Sequence, residues 1–243
     1  MKKGQISRKT IIKVIPVAVI TLIACVGLIK APSKASDHLA DDLKKEFRQN
    51  QELLQQTEKQ QQTPPETQEV SKEQEPENNF TTFVGDSVML GAVPDLMEAT
   101  PDSIIDAKES RQVVQAVDIL KELEAQGKLG HRVVIELGIN SCFSQATGQE
   151  VIDYLGKDRE IYWVTVYGKF LPEQQKTNDV IQSLADENDN VQVIAWNKAA
   201  EQHPDWFYND GIHLNGEGRK GFAQTMCEAL NIKPATPEET AEQ

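Results

Sequence analysis

"TTFVGDSVMLGA", Thr81 to Ala92, passes from a short apolar run into a helical pattern through Gly85, Asp86 and Ser87, with no room for a loop between them. A run of this kind reads as a strand buried on both faces, and a strand leading straight into a helix opens a βαβ unit. The same alternation returns with "DSIIDA" (102–107), "HRVVIELG" (131–138), "EIYWVTV" (160–166) and "NVQVIAW" (190–196), each separated from the next by an amphipathic stretch. Five such strands in about 150 residues predict an α/β domain, a three-layer flavodoxin-like fold with a five-stranded parallel sheet. In that architecture ligands sit at the carboxyl ends of the strands, so a motif carries weight when it falls on that rim.

Several do. Ser87 stands at the turn after the first strand, where its backbone N–H opens a helix and faces developing negative charge; the plainer reading is that Asp86 or Ser87 caps the helix. "DAKESRQ" puts Ser110 and Arg111 after the second strand, and "ELGINS" puts Asn140 after the third. Asn140 either donates its amide hydrogen to an oxyanion or closes the turn. "NDGIHLNGEG" (209–218) places Asp210 three residues before His213, an acid one helical turn from an imidazole. A loop histidine alone is more often solvated than catalytic, but three strand ends and this late loop converge on one rim. Glu136 in an apolar strand would be costly without a partner, and Arg111 is available either as that partner or as a substrate contact. Trp206, Phe207 and Tyr208 serve equally well to stack on a sugar or to bury the last helix. His38, His131 and His203 read as structural or solvated. No metal or cofactor is called for, since no H-x-x-x-H or C-x-x-C spacing adds a third ligand to Asp210 and His213.

Together "GDS" after strand one, Gly138-x-Asn140 after strand three and "DGIHL" before the last helix resemble the block motifs of the SGNH (GDSL) serine hydrolases. "DAKESRQ", "VVIELGINS" and "NDGIHLNGEGRKGF" resemble, more closely, the extracytoplasmic catalytic domain of bacterial peptidoglycan O-acetyltransferases, over Phe80 to Leu230. The resemblance implies Ser87 as nucleophile, His213 as general base and Asp210 as the acid that orients it. It implies an oxyanion hole made of the backbone N–H groups of Ser87 and Ser110 and the side-chain amide of Asn140. Three departures stand out. Ser110 replaces the glycine usual in the second block, which is harmless if that turn does not need positive φ; Ser141 replaces a second glycine; and "TVYGKF" (165–170) lacks the Pro-Arg expected after strand four. The activity implied is a serine esterase acting on O-acetyl groups of a cell-wall glycan through an acetyl-enzyme. Acetyl transfer to peptidoglycan, with a separate multi-pass membrane protein delivering the acetyl group, is the close alternative, and a non-catalytic wall-binding module is the third.

The remainder of the chain gives the setting. Residues 1–34 carry seven Lys or Arg and no acid, so a net charge of −13 leaves −20 on the rest. Such an acidic body excludes nucleic acid and anionic membrane surfaces as general partners. "VIPVAVITLIACVGLI" (14–29) follows five cations and reads as a single-span membrane anchor that holds the body outside the cell. A cleaved signal peptide and lipidation at Cys25 are the other readings of that stretch. Residues 35–79 read as a helical then disordered stalk: Leu39, Leu43, Phe47 and Leu54 recur at helical spacing, suited to a coiled coil, until Pro64, Pro65 and Pro76. The catalytic domain then spans 80–232, followed by a disordered tail, 233–243. Cys142 and Cys227 read as two free, mostly buried thiols.

Overall fold

Strands β1 (Thr81–Gly85), β2 (Ile104–Ala107), β3 (Arg132–Glu136), β4 (Glu160–Val164) and β5 (Val191–Ile194) pair in parallel, in the order β2-β1-β3-β4-β5. The structure is a computed structural model that describes residues 34–61 and 79–232. Side chains alternate along each strand. Phe83, Val134, Tyr162 and Ile194 join one core, while Val84, Val133, Ile135, Ile161 and Trp163 join the other. Helices α1 (Lys34–Gln61), α2 (Ser87–Gly91), α3 (Val93–Ala99), α7 (Trp196–Gln202) and α8 (Gly216–Leu230) contribute to the first core. Helices α4 (Ala116–Ala125), α5 (Gln145–Leu155) and α6 (Gln174–Glu187) contribute to the second. A sheet covered on both faces is why the strands read as continuous apolar runs.

Because β1 is flanked by β2 on one side and β3 on the other, the winding direction reverses between β1 and β3. That switch opens a crevice at the carboxyl ends of those two strands. Ser87 follows β1 and Asn140 follows β3, so the chain order alone delivers both to the crevice.

By contact the chain divides into residues 1–41 and 42–243, and of the first unit only the opening of α1 is described. The helical stretch expected to be a stalk therefore enters the folded unit at Asp42. Its apolar stripe is not left for a coiled coil: Phe47 and Leu54 are buried in the first core, with Leu43 and Leu53 partly buried against it. Asn50 donates to the carbonyls of Leu90 (2.9 Å) and Gly91 (3.3 Å) and so ties α1 to the end of α2. The Glu46 carboxylate accepts from the Arg219 guanidinium and from the Tyr208 hydroxyl. A helical period shows that a face must be covered; the partner was set by tertiary packing.

Trp206 packs against the last helix. Its ring lies parallel to Trp196, at 5.9 Å, and to His203, at 3.9 Å, and Gly218 and Gly221 of α8 close against it. A Cβ at position 221 would come within 2.4 Å of the ring, so Trp206 covers this face of the last helix. Among the described residues the two cysteines are free, Cys227 buried and Cys142 partly so. The apolar segment 14–29 with Cys25, the proline-containing segment 62–78 and the tail 233–243 lie outside the described residues. Among the described residues no helix is long and apolar enough to cross a membrane.

Candidate active site

Ser87 is the first residue of α2 and is only 8% exposed. Its turn is fixed by Asp86, which caps α2 through a bond from the Val88 N–H to Oδ1 (3.0 Å). His213 arrives from the far end of the sequence. Its Nε2 lies 3.1 Å from Ser87 Oγ and its Nδ1 lies 2.8 Å from Asp210 Oδ2.

The three-residue spacing is not a helical turn. Phe207 and Leu214 form an antiparallel bridge, the Tyr208 N–H donates to the His213 carbonyl, and Gly211 adopts φ +69° at the tip. Asp210 and His213 thus sit on a tight hairpin, and Asp210 Oδ1 accepts from the Ile212 and His213 N–H groups at 2.9 and 3.0 Å. Burial raises the Asp210 carboxyl, but the His213 ring and these two N–H groups outweigh it and hold the group below the usual carboxylate range. An anion fixed by three donors keeps the imidazole in one orientation.

Beneath Ser87 lies a carboxyl pair whose arrangement the sequence did not disclose. Glu136 Oε2 accepts from the Asp86 N–H (3.2 Å) and the Met89 N–H (3.3 Å), so the end of β3 anchors the start of α2. Burial, and then the charge of Asp86, push Glu136 well above the usual carboxyl range. Burial likewise pushes Asp86 up to about 7, against the Val88 N–H, the charge of His213 and bonds from Glu136 and Asn140. Both Asp86 oxygens act as acceptors, Oδ1 from Val88 and Oδ2 from Asn140 (3.2 Å). Burial thus favours the neutral form of this pair, and the bonds to both Asp86 oxygens favour Glu136 as its protonated member.

Of the residues expected around an oxyanion, Ser87 and Ser110 have backbone N–H groups that no described acceptor takes. Ser110 has φ +61°, so this turn does need the left-handed conformation, and serine holds it where glycine would do so without strain. Asn140 reaches the crevice, but its Nδ2 donates to Asp86 Oδ2 and to the Arg111 carbonyl (3.1 Å). Arg111 is not the partner of Glu136. Its guanidinium bonds the carboxylate and the carbonyl of Asp106, both at 2.5 Å, and ties the second strand to this loop, leaving its side chain 11% exposed. Tyr208 turns its hydroxyl to Glu46 (3.3 Å).

One neighbour of the site was missed entirely. The Phe47 ring of α1 meets the His213 ring edge-on, with centroids 5.3 Å apart. An aromatic within the apolar stripe of the predicted stalk was the available signal. A cleft of about 560 Å³ is lined by Gly130 and His131 at the amino end of β3, away from these groups. Near the crevice, a cleft of about 460 Å³ lies between α1 and the loop after β2, lined by Phe47, Leu90 and Lys108 among others. No cluster of three or more His, Cys, Asp or Glu side chains suited to a metal occurs among the described residues.

No family model matches the chain. It is 33% identical over 151 residues to the O-acetyltransferase OatA of Staphylococcus aureus (strain NCTC 8325), an alignment covering 61% of this chain and 24% of that protein. The chain thus spans about a quarter of the length of the curated relatives it matches. Among solved structures it resembles the C-terminal catalytic domain of Streptococcus pneumoniae peptidoglycan O-acetyltransferase A with a methylsulfonyl adduct. The TM-score is 0.58 at 25% identity, covering 63% of this chain and 93% of that one. A family 3 carbohydrate esterase of Clostridium thermocellum shares the fold, with a TM-score of 0.52 at 16% identity over 63% of this chain and 96% of that one. Both comparisons match the resemblance read from the motifs.

Proposed function

From the premise that the folded domain is of the SGNH type, we propose that this chain takes up an acetyl group on Ser87 and passes it to a hydroxyl of a cell-wall glycan. The observation that carries this reading is the unbroken chain of contacts Ser87–His213–Asp210 at the switch crevice. The sequence motifs ranked hydrolysis of O-acetyl esters ahead of transfer. The two reactions share an acetyl-enzyme and differ in what attacks it, and likeness to O-acetyltransferases favours a sugar hydroxyl over water.

In the first half-reaction His213, neutral and donating Nδ1–H to Asp210, accepts the Ser87 hydroxyl proton at Nε2 as Oγ attacks the donor's ester carbonyl. The oxyanion faces the N–H groups of Ser87 and Ser110. Asn140 joins them once one of its amide hydrogens turns from the Arg111 carbonyl. His213 then returns the proton to the departing alcohol, leaving acetyl-Ser87. In the second half-reaction a sugar hydroxyl gives its proton to His213 and attacks the acetyl carbon, and Ser87 leaves with that proton. Arg111 supports the oxyanion loop and Tyr208 the hairpin. No cofactor enters this chemistry.

The apolar segment 14–29, preceded by five cations, would hold the domain at the outer face of the membrane, and a separate multi-pass membrane protein would deliver the acetyl group. The test incubates the full chain and its Ser87→Ala variant with an activated acetyl ester, with and without a chitin-type or muropeptide oligosaccharide. Released alcohol and sugar mass are followed together. Serine-dependent gain of acetyl mass by the sugar is the expected result. Alcohol release without sugar acetylation returns hydrolysis to first place, and equal inertness of the two proteins points to a wall-binding module.

A further inference from the structure

Helix α1 carries Lys44, Phe47, Arg48 and Gln51 at positions i, i+3, i+4 and i+7, one stripe along its length. All four line the cleft of about 460 Å³, together with Leu90 of α2 and with Lys108 and Glu109 of the loop after β2. Its position follows from residues already described: Leu90 is three residues past Ser87, Lys108 and Glu109 directly precede Ser110, and Phe47 also packs on the His213 ring. The cleft therefore shares α2 with Ser87, the loop after β2 with Ser110, and the Phe47 ring with His213.

Its charge runs against that of the body. The chain beyond residue 34 carries −20, yet three cations and one acid line this cleft. Lys44, Arg48 and Lys108 are exposed, and none has an ion-pair partner among the described residues. Buried Phe47 and Leu90 add an apolar surface that excludes water from one side and so strengthens the local field.

We propose that this cleft binds an anionic group, a carboxylate or a phosphodiester, on the glycan that receives the acetyl group. Lys44, Arg48 and Lys108 hold the charge while Phe47 and Leu90 support the sugar. The proposal rests on the reading of the domain as an acetyl transferase to glycan. It gives the segment before the catalytic domain a part in acceptor choice: a neutral sugar reaches Ser87 but is not retained there.

The test measures binding rather than turnover, so it does not depend on whether transfer is the correct reaction. Full-length Ser87→Ala protein is titrated with three oligosaccharides of equal length: neutral, carboxylate-bearing and phosphodiester-bearing. The comparison is repeated in Lys44→Gln/Arg48→Gln and Lys108→Gln backgrounds, with Lys157→Gln/Lys198→Gln as a charge-matched control. An anionic oligosaccharide should bind roughly ten-fold more tightly than the neutral one at low salt, the size expected of a few exposed ion pairs. That preference should fall in both cleft variants, which alter separate elements, and persist in the control. Whichever anionic sugar binds more tightly identifies the source of the charge. Equal binding of neutral and anionic sugars, or a preference that survives in the cleft variants or falls equally in the control, overturns the proposal.

Discussion

Glu136 offers the sharpest test of how Ser87 is held. Its carboxyl supplies the acceptor for two buried backbone N–H groups at the start of α2, from Asp86 and Met89, and burial and the neighbouring Asp86 disfavour its charge. Replacement by leucine leaves both N–H groups without an acceptor. At roughly 1–3 kcal/mol each, the loss is about 2–6 kcal/mol, enough to unfold a marginal domain. Glutamine keeps an acceptor oxygen and a donor to Asp86, so Glu136→Gln should lie within about 1 kcal/mol of the unmodified protein in acid.

The pH dependence follows from the direction of the shift. A carboxyl raised in the folded state contributes stability that is fully present below its unfolded pKa, 4.5 here, and lost as pH climbs toward the folded value. The glutamine variant has no such proton to lose. Its stability relative to the unmodified protein should therefore rise by up to about 1.4 kcal/mol per pH unit above that point. Urea unfolding of both proteins at pH 4.5, 6 and 7.5 measures the difference. A difference that stays flat across that range would mean Glu136 is ionised in the folded protein, and the account of the buried pair would be wrong.

Asp210→Asn should leave the hairpin folded but lower ester turnover by about 10⁴, because the asparagine no longer holds the Nδ1–H tautomer; retention of more than a tenth of the activity in a stopped-flow ester assay would remove Asp210 from the mechanism. Ser110→Gly relieves a left-handed residue at roughly 1 kcal/mol while freeing the unfolded chain by a comparable amount, so the midpoint of thermal unfolding should hold or rise slightly. A clear fall would show that the serine side chain supports the turn. Phe47→Ala should cost about 3–5 kcal/mol of stability, as for a buried core aromatic, and calorimetry showing less than about 1 kcal/mol would mean that α1 is not docked as described. Gly221→Ala drives a methyl into the Trp206 ring and should shift tryptophan fluorescence and lower stability; an unchanged spectrum and midpoint would contradict that close approach.

The sequence by itself determined the sheet and pointed to the trio Ser87, Asp210 and His213 that the structure brings into contact. Strands buried on both faces carry their signature in every residue, as "HRVVIELG" does, and the winding then brings Ser87 and Asn140 to one crevice whatever the loops do. Asp210 and His213 were legible because their relation is local, within three residues, although its form as a hairpin rather than a helical turn was not. What the tertiary structure decided was long-range pairing. Glu136 found backbone donors 47 and 50 residues away, Asn140 turned its amide to Asp86 and the Arg111 carbonyl, and Arg111 went to Asp106. The largest difference is α1. Its period showed an apolar stripe, but a stripe states only that water must be excluded, and the choice between a second copy and its own domain depended on the shape of a surface assembled from α2, α3 and α8.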